Sequence, residues 1–255
     1  MLIQVFSDIH LEFYKSFPKI PRKAKYLILA GDIGKLCDIN YKEFIKYCSE
    51  TWDKTIVILG NHEFYHSKKT IDKLLNSYIS FFSQYENVIL LEKDKTYIED
   101  WEVIGLTMWS NILPEYSDLL NCVNKIKTNK YIDGSKGKDK IGYKKLNKIH
   151  EDSVKWLFDN YDKNKKTILI THHPITIKNI SQTKYENESI ERKQAFATDL
   201  KIHNENKLVC ISGHTHFSHD FEDNNIRYIS NQMGYKEELL HNETNFNDKG
   251  VYNLI

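Results

Sequence analysis

Short apolar runs, each ending in a polar pair that carries an acid, an amide or an imidazole, recur along this chain. Residues 2–6 run into Ser7-Asp8, and residues 26–30 run into Gly31-Asp32. Residues 55–59 end at Gly60-Asn61-His62, residues 166–170 at Thr171-His172-His173-Pro174, and residues 207–211 at Ser212-Gly213-His214. Runs of this length, bounded by Gly and polar residues, predict strands buried on both faces. Helical spacing predicts helices over 41–50, 70–82 and 143–160, the last with Leu146, Ile149, Val154, Trp156 and Leu157 on a partly apolar stripe. Alternating strand and helix predicts an α/β fold, with the polar strand ends gathered in the crevice at the carboxyl edge of the sheet. Runs at 88–91, 96–98 and 101–106, and again at 217–222, 227–230 and 250–254, predict two further sets of strands and a second sheet. Residues 129–145 are rich in Lys, Gly and Asp without a period, which reads as a surface loop and a candidate lid.

Composition narrows the function classes. A chain of 255 residues is long enough for one domain with layers on both sides of a sheet, and no linker or repeat divides 1–255. Lys and Arg total 36 against 35 Asp and Glu, so no excess of positive potential favours a nucleic-acid backbone. Cys37, Cys48, Cys122 and Cys210 are scattered with no CxxC pair, as expected of thiols in a reducing, cytoplasmic setting. No run approaches the roughly 18 apolar residues of a membrane span.

The strand ends carry the chemistry. Asp8-Ile9-His10, if extended, puts two side chains on one face of a strand, where both reach one ion. Gly31-Asp32 alone is a common turn. In Gly60-Asn61-His62-Glu63, Asn and His have poor strand propensity and no evident structural task, although Asn61 would also serve as a helix N-cap. Gly213-His214-Thr215-His216 sets two imidazoles one residue apart after a buried strand, a spacing suited to a metal. Five such endings in one chain point to a shared metal site rather than to five unrelated surface features.

The ordered set Asp8-x-His10, Gly31-Asp32, Gly60-Asn61-His62-Glu63, His172-His173-Pro174 and Gly213-His214-x-His216 resembles the calcineurin-like metallophosphoesterase superfamily. Residues 7–13, 29–33, Tyr65, Thr107-Met108-Trp109 and Asn231-Gln232-Met233-Gly234-Tyr235 look like a bacterial-type branch without an accessory domain. The resemblance implies a four-layer αββα sandwich with two mixed sheets and a dimetal site at the strand carboxyl ends. It implies one metal on Asp8, His10 and His216, a second on Asn61, His172 and His214, and Asp32 and a hydroxide bridging both. His173 would then orient or pack, and His62 would be the general acid for the departing oxygen. Carboxylate, amide and imidazole ligands without thiolate suit Mn first, with Fe or Zn as alternatives. Glu63 would either hold His62 or sit at a helix start.

The implied activity is in-line attack of metal hydroxide on a small phosphorylated substrate, a phosphomonoester or phosphodiester, nucleotides and cyclic nucleotides included. Two alternatives stay open: a nuclease, and a catalytically silent binding or scaffold protein of the same fold. The Asp-Arg-Gly signature of protein phosphatases is absent, Ile33-Gly34-Lys35 following Asp32. An arginine pair that relatives carry in mid-chain is missing as well, leaving Lys130, Lys136, Lys138, Lys140 and Arg192, the last inside a helix predicted over Ser189 to Leu200 after the His172 loop, as candidate substrate grips.

Overall fold

The structure, a computed structural model, describes residues 1–66, 69–119, 125–126, 140–185 and 187–254. Its strands are β1 (Leu2–Phe6), β2 (Tyr26–Ala30), β3 (Lys54–Ile58), β4 (Val88–Leu90), β5 (Asp94–Ile98), β6 (Trp101–Leu106), β7 (Thr167–Thr171), β8 (Leu208–Ser212), β9 (His219–Asp223), β10 (Ile226–Ser230) and β11 (Val251–Asn253). The helices are α1 (Ile39–Thr51), α2 (Ile71–Phe82), α3 (Gly142–Asn160), α4 (Ile190–Gln194) and α5 (Lys236–Leu240). One sheet has the order β11-β1-β2-β3-β4 and the other β5-β6-β7-β8-β10-β9. Both are mixed: β1 to β4 run parallel with β11 antiparallel at one edge, and β6, β7, β8 and β10 run parallel between antiparallel β5 and β9.

The strands are apolar throughout because both faces are covered. Ile3, Val5, Ile28, Ile56 and Ile58 of the first sheet meet Val103, Ile168, Ile170, Val209 and Ile211 of the second in one core. The opposite face of the first sheet offers Phe6, Leu27, Leu29 and Val57 to Phe44, Ile45 and Cys48 of α1 and to Leu74, Tyr78 and Phe82 of α2. Outside the second sheet, Ile104, Leu106, Leu169 and Cys210 cover Leu157 of α3, with Val154 and Trp156 beside it. Each fully buried aliphatic side chain contributes about 1.5–3 kcal/mol. The result is the four-layer αββα sandwich.

Two expectations change, and a third falls mostly outside the described residues. Residues 88–90 and 251–253 join the first sheet as β4 and β11 rather than the second, because β4 pairs with β3 and β11 with β1. The helix after the His172 loop spans only Ile190–Gln194, capped by Ser189, whose side chain accepts from Arg192 N. Residues 127–139, most of the candidate lid and with them Lys130, Lys136 and Lys138, lie outside the described residues, as does Cys122; Gly142–Lys145 form the start of α3.

Topology places the site. Three neighbouring parallel strands, β1, β2 and β3, bring residues 7–8, 31–32 and 60–61 to one edge, and β7 and β8 bring 172 and 213–214 to the matching edge of the other sheet. A parallel bridge between Ser7 and Gln232 joins the two edges.

Candidate metal centre

Asp8 and His10 do not share a strand face, since β1 ends at Phe6. They converge because both adopt left-handed backbone, at φ 53° and 52°. Asp32 (φ 51°), His214 (φ 77°) and His216 (φ 53°) do likewise. Non-glycine residues in this region each carry strain of about 1–3 kcal/mol and persist where surrounding structure imposes them. Here the loops are locked to one another: Asp8 N donates to Gly31 O and His10 N to Asp32 O, both at 3.0 Å, and Gly213 N donates to His172 O at 3.0 Å. Glycine is required where these loops touch. A Cβ at Gly31 would overlap the His172 ring, and one at Gly60 would overlap the Asp32 carboxylate.

The structure brings the predicted residues together. Ligand atoms of Asp8, His10 and His216 lie within 4.8 Å of one another, as do those of Asp8, Asp32 and His172, of His10, Asp32 and His62, and of His172, His173 and His214. Asp32 and Asp8 thereby link the groups. His10 Nε2 lies 3.0 Å from His216 Nε2, and His216 Nε2 lies 3.6 Å from Asp8 Oδ1. His172 Nε2 lies 3.0 Å from Asn61 Oδ1 and 3.4 Å from Asp32 Oδ1. Asn61 makes no cap bond with its side chain, so the N-cap alternative falls. Its amide nitrogen donates instead to Tyr65 Oη at 2.7 Å, which turns Oδ1 toward His172.

The donor set fits metal ions. Among the described residues, His214 Nε2, His173 Nδ1 and His10 Nδ1 are buried with no hydrogen-bond partner. Unsatisfied buried polar atoms are rare in proteins and mark ions, water or function. His172 Nδ1 stands 3.0 Å from Ala30 O, a bond only its N–H form makes, so Nε2 is the nitrogen left facing Asn61 and Asp32. Burial opposes charge on His172, yet the Asp32 carboxylate outweighs it and pushes the imidazole up to about 9. Burial and neighbouring imidazoles hold His173 and His214 well below their usual value, leaving both neutral. Carboxylates and neutral imidazoles thus stand within reach of one another, a setting that favours a bound cation.

The profile of the calcineurin-like phosphoesterase family matches residues 1–218. The chain belongs to that family. The family implies a dimetal centre and the activity of a phosphoester hydrolase. A protein of Acanthamoeba polyphaga mimivirus, the uncharacterised L509, is 31% identical over 270 residues, spanning 96% of this chain and 94% of L509. The crystal structure of a phosphopantetheinyl hydrolase from Mycobacterium tuberculosis superposes with a TM-score of 0.65 at 12% identity, covering 99% of this chain and 95% of that one; the likeness is one of fold.

Around this phosphoesterase's centre stand carboxylates whose roles the sequence concealed. Glu12, not Glu63, pairs with the acid candidate: its Oε1 lies 2.9 Å from His62 Nδ1 and 3.9 Å from His10 Nδ1. Burial raises Glu12, but the two histidines win and hold it at about 2. Glu63 accepts backbone N–H bonds from Gly60, Asp32, Ile33 and Gly34 at 2.8–3.1 Å, fastening the loops after β2 and β3. Glu238 Oε2 accepts from His216 Nδ1 at 2.6 Å and from Tyr235 N at 2.8 Å. The only sequence signal for Glu238 was its place three residues after Tyr235, the spacing of a capping box. Tyr235 and Glu238 lie past the family-matched residues.

A cavity of about 380 Å³ opens beside the centre, lined by Asn61, His62, Tyr65, Phe196, His214 and Tyr235, with Arg192 on its far wall. Arg192 is paired with Glu188 at 3.1 Å. Among the described residues, no helix is long and apolar enough to cross a membrane.

Proposed function

We propose that residues 1–255 form a single two-metal phosphoesterase domain, cytoplasmic, acting on a small phosphomonoester or phosphodiester. Asp8, His10 and His216 would hold one ion and Asn61, His172 and His214 the other, with Asp32 between them; His173 is within reach of the second group and packs its ring 3.9 Å from that of His214. Manganese, iron and zinc all suit a set of four imidazoles with two carboxylates and an amide oxygen and no thiolate, and manganese is the ion proposed. The observation that carries this reading is the convergence of imidazoles and carboxylates in linked groups, with Asp32, His214 and His216 of those groups lining a substrate-sized cavity. Divalent ions bound there would acidify a water and neutralise charge on the phosphoryl oxygens.

The chain's own groups would do the rest. His62 lies on the cavity wall with Nδ1 held by Glu12, so its Nε2 is the atom placed to give a proton to the departing oxygen. His62 N donates to Asp32 Oδ1 at 2.8 Å, tying the acid to the metal centre. Tyr65 fixes the Asn61 amide, and Glu238 fixes His216. Retention of every candidate ligand and of His62 argues against a silent binding protein, and the net charge of +1 argues against a nuclease.

The deciding experiment is hydrolysis of p-nitrophenyl phosphate and bis-p-nitrophenyl phosphate by metal-stripped protein with Mn(II) added back. We expect metal-dependent turnover that Asp32→Ala abolishes, the preferred ester separating phosphatase from phosphodiesterase. Turnover that persists without metal, or none with two ions bound, would refute it.

A further inference from the structure

We propose that Tyr235 is a further catalytic residue, through whose hydroxyl the His62 proton reaches the leaving oxygen. The proposal rests on the reading of His62 as general acid and adds the atom that touches substrate.

Three observations place it. Glu12 accepts from His62 Nδ1 at 2.9 Å, so Nδ1 keeps its hydrogen and Nε2 is the nitrogen that exchanges one. The atom that Nε2 meets is Tyr235 Oη, at 3.3 Å. Tyr235 also lines the cavity beside Asp32, Asn61, His214 and His216. In this arrangement the phenol stands at His62 Nε2 on the wall of the space where substrate would lie.

The ring is held on several sides. It stacks on His10 with centroids 4.7 Å apart and planes at 30°, and stands edge-on to His216 at 4.6 Å. Its backbone nitrogen donates to Glu238, the carboxylate that also holds His216 Nδ1. The hydroxyl is therefore fixed relative to the candidate metal ligands, as proton transfer in a short-lived transition state requires.

The step balances without a co-reactant. As the bond from phosphorus to the leaving oxygen breaks, Oη–H passes its proton to that oxygen. Oη takes the Nε2 proton of imidazolium His62, which becomes neutral with Nδ1–H still bonded to Glu12. The phenol is regenerated, and the leaving group departs as an alcohol.

Tyr235→Phe removes the hydroxyl and keeps the ring against His10 and His216. The test compares Mn(II)-loaded wild type, Tyr235→Phe, His62→Ala and the double variant on aryl esters of the class turned over, with p-nitrophenol as a good leaving group and phenol as a poor one. We expect Tyr235→Phe to lower kcat on the phenyl ester by about 10- to 100-fold and to change the p-nitrophenyl ester little, with KM and metal content unchanged. His62→Ala should be selective in the same sense, with the double variant no slower than His62→Ala. A wild-type profile for Tyr235→Phe beside a selective His62→Ala would overturn the relay while leaving His62 as the acid. Equal loss on both esters would assign Tyr235 a packing role only and likewise overturn it. An unselective His62→Ala would remove the acid assignment beneath the proposal.

Discussion

Two N–H groups converge on each oxygen of Glu63, from Gly60 and Asp32 on one and from Ile33 and Gly34 on the other. Burial and the nearby Asp32 carboxylate work to raise Glu63, but four donors leave no lone pair to accept a proton. Glu63→Gln would turn an amide NH2 toward two of those donors, and each unsatisfied buried group costs about 1–3 kcal/mol. The expected outcome is a lower urea midpoint together with weaker Mn(II) binding by chelator competition; an unchanged midpoint would count against the fastening role. At this scale, the residues that converge on the candidate site were legible because Asp, Asn or His directly after a buried strand recurs at five strand ends that the topology brings to one edge. The supporting roles were not. Glu12 and His62 are 50 residues apart, and Tyr235 and His62 are 173 apart, so no local pattern couples them.

The strands and the three longer helices were legible to within a few residues because a run buried on both faces, or a helical apolar stripe, leaves a continuous signature, whereas short exposed α4 and α5 leave none. Sheet membership was not, since β4 and β11 look locally like the neighbours they do not pair with, and only long-range register assigns them to β3 and β1. Asp8 and His10 lie together as expected, but left-handed turns bring them there in place of the pleat. Gly60, two residues past β3, shows how tightly these turns close. Gly60→Ala sets a Cβ against the Asp32 carboxylate and backbone and the His172 ring, all of them rigid, whereas Gly142 has nothing within 4 Å of a Cβ. We expect Gly60→Ala to lose about 1–3 kcal/mol and most bound metal. Gly142→Ala should carry only the strain of its positive φ, about 1–2 kcal/mol, with metal content intact. Thermal melts and metal analysis of the pair check this.

Across the whole molecule, the candidate ligands come from the carboxyl ends of β1, β2 and β3 in one sheet and of β7 and β8 in the other. Ions bound among them join the two sheets, so Mn(II) at about 100 times its Kd should stabilise by about 2.7 kcal/mol, a rise of about 5–10 °C in Tm for a chain of this size. Chelation should reverse the rise, and Asp32→Ala should not show it. Away from the site, burial holds His219 of β9 down to about 4. Its folded value lies below the unfolded 6.5, so the unfolded chain binds the extra proton, and stability falls as pH drops from 6.5 toward about 4. His219→Gln should flatten the upper part of that fall, between pH 6.5 and 5, in urea titrations at stepped pH; identical slopes would refute it.

The left-handed backbone at Asp8, His10, Asp32, His214 and His216 bears on how such a protein drifts once selection changes. Glycine occupies that region with less strain than aspartate or histidine. A descendant released from the need for turnover would gain stability by exchanging these residues, so decay at the crest would be pulled by folding as well as permitted by neglect. In such a lineage the left-handed turns at these five positions would be the first to relax, and a gain in folding stability on exchanging them would measure what the candidate site costs the fold.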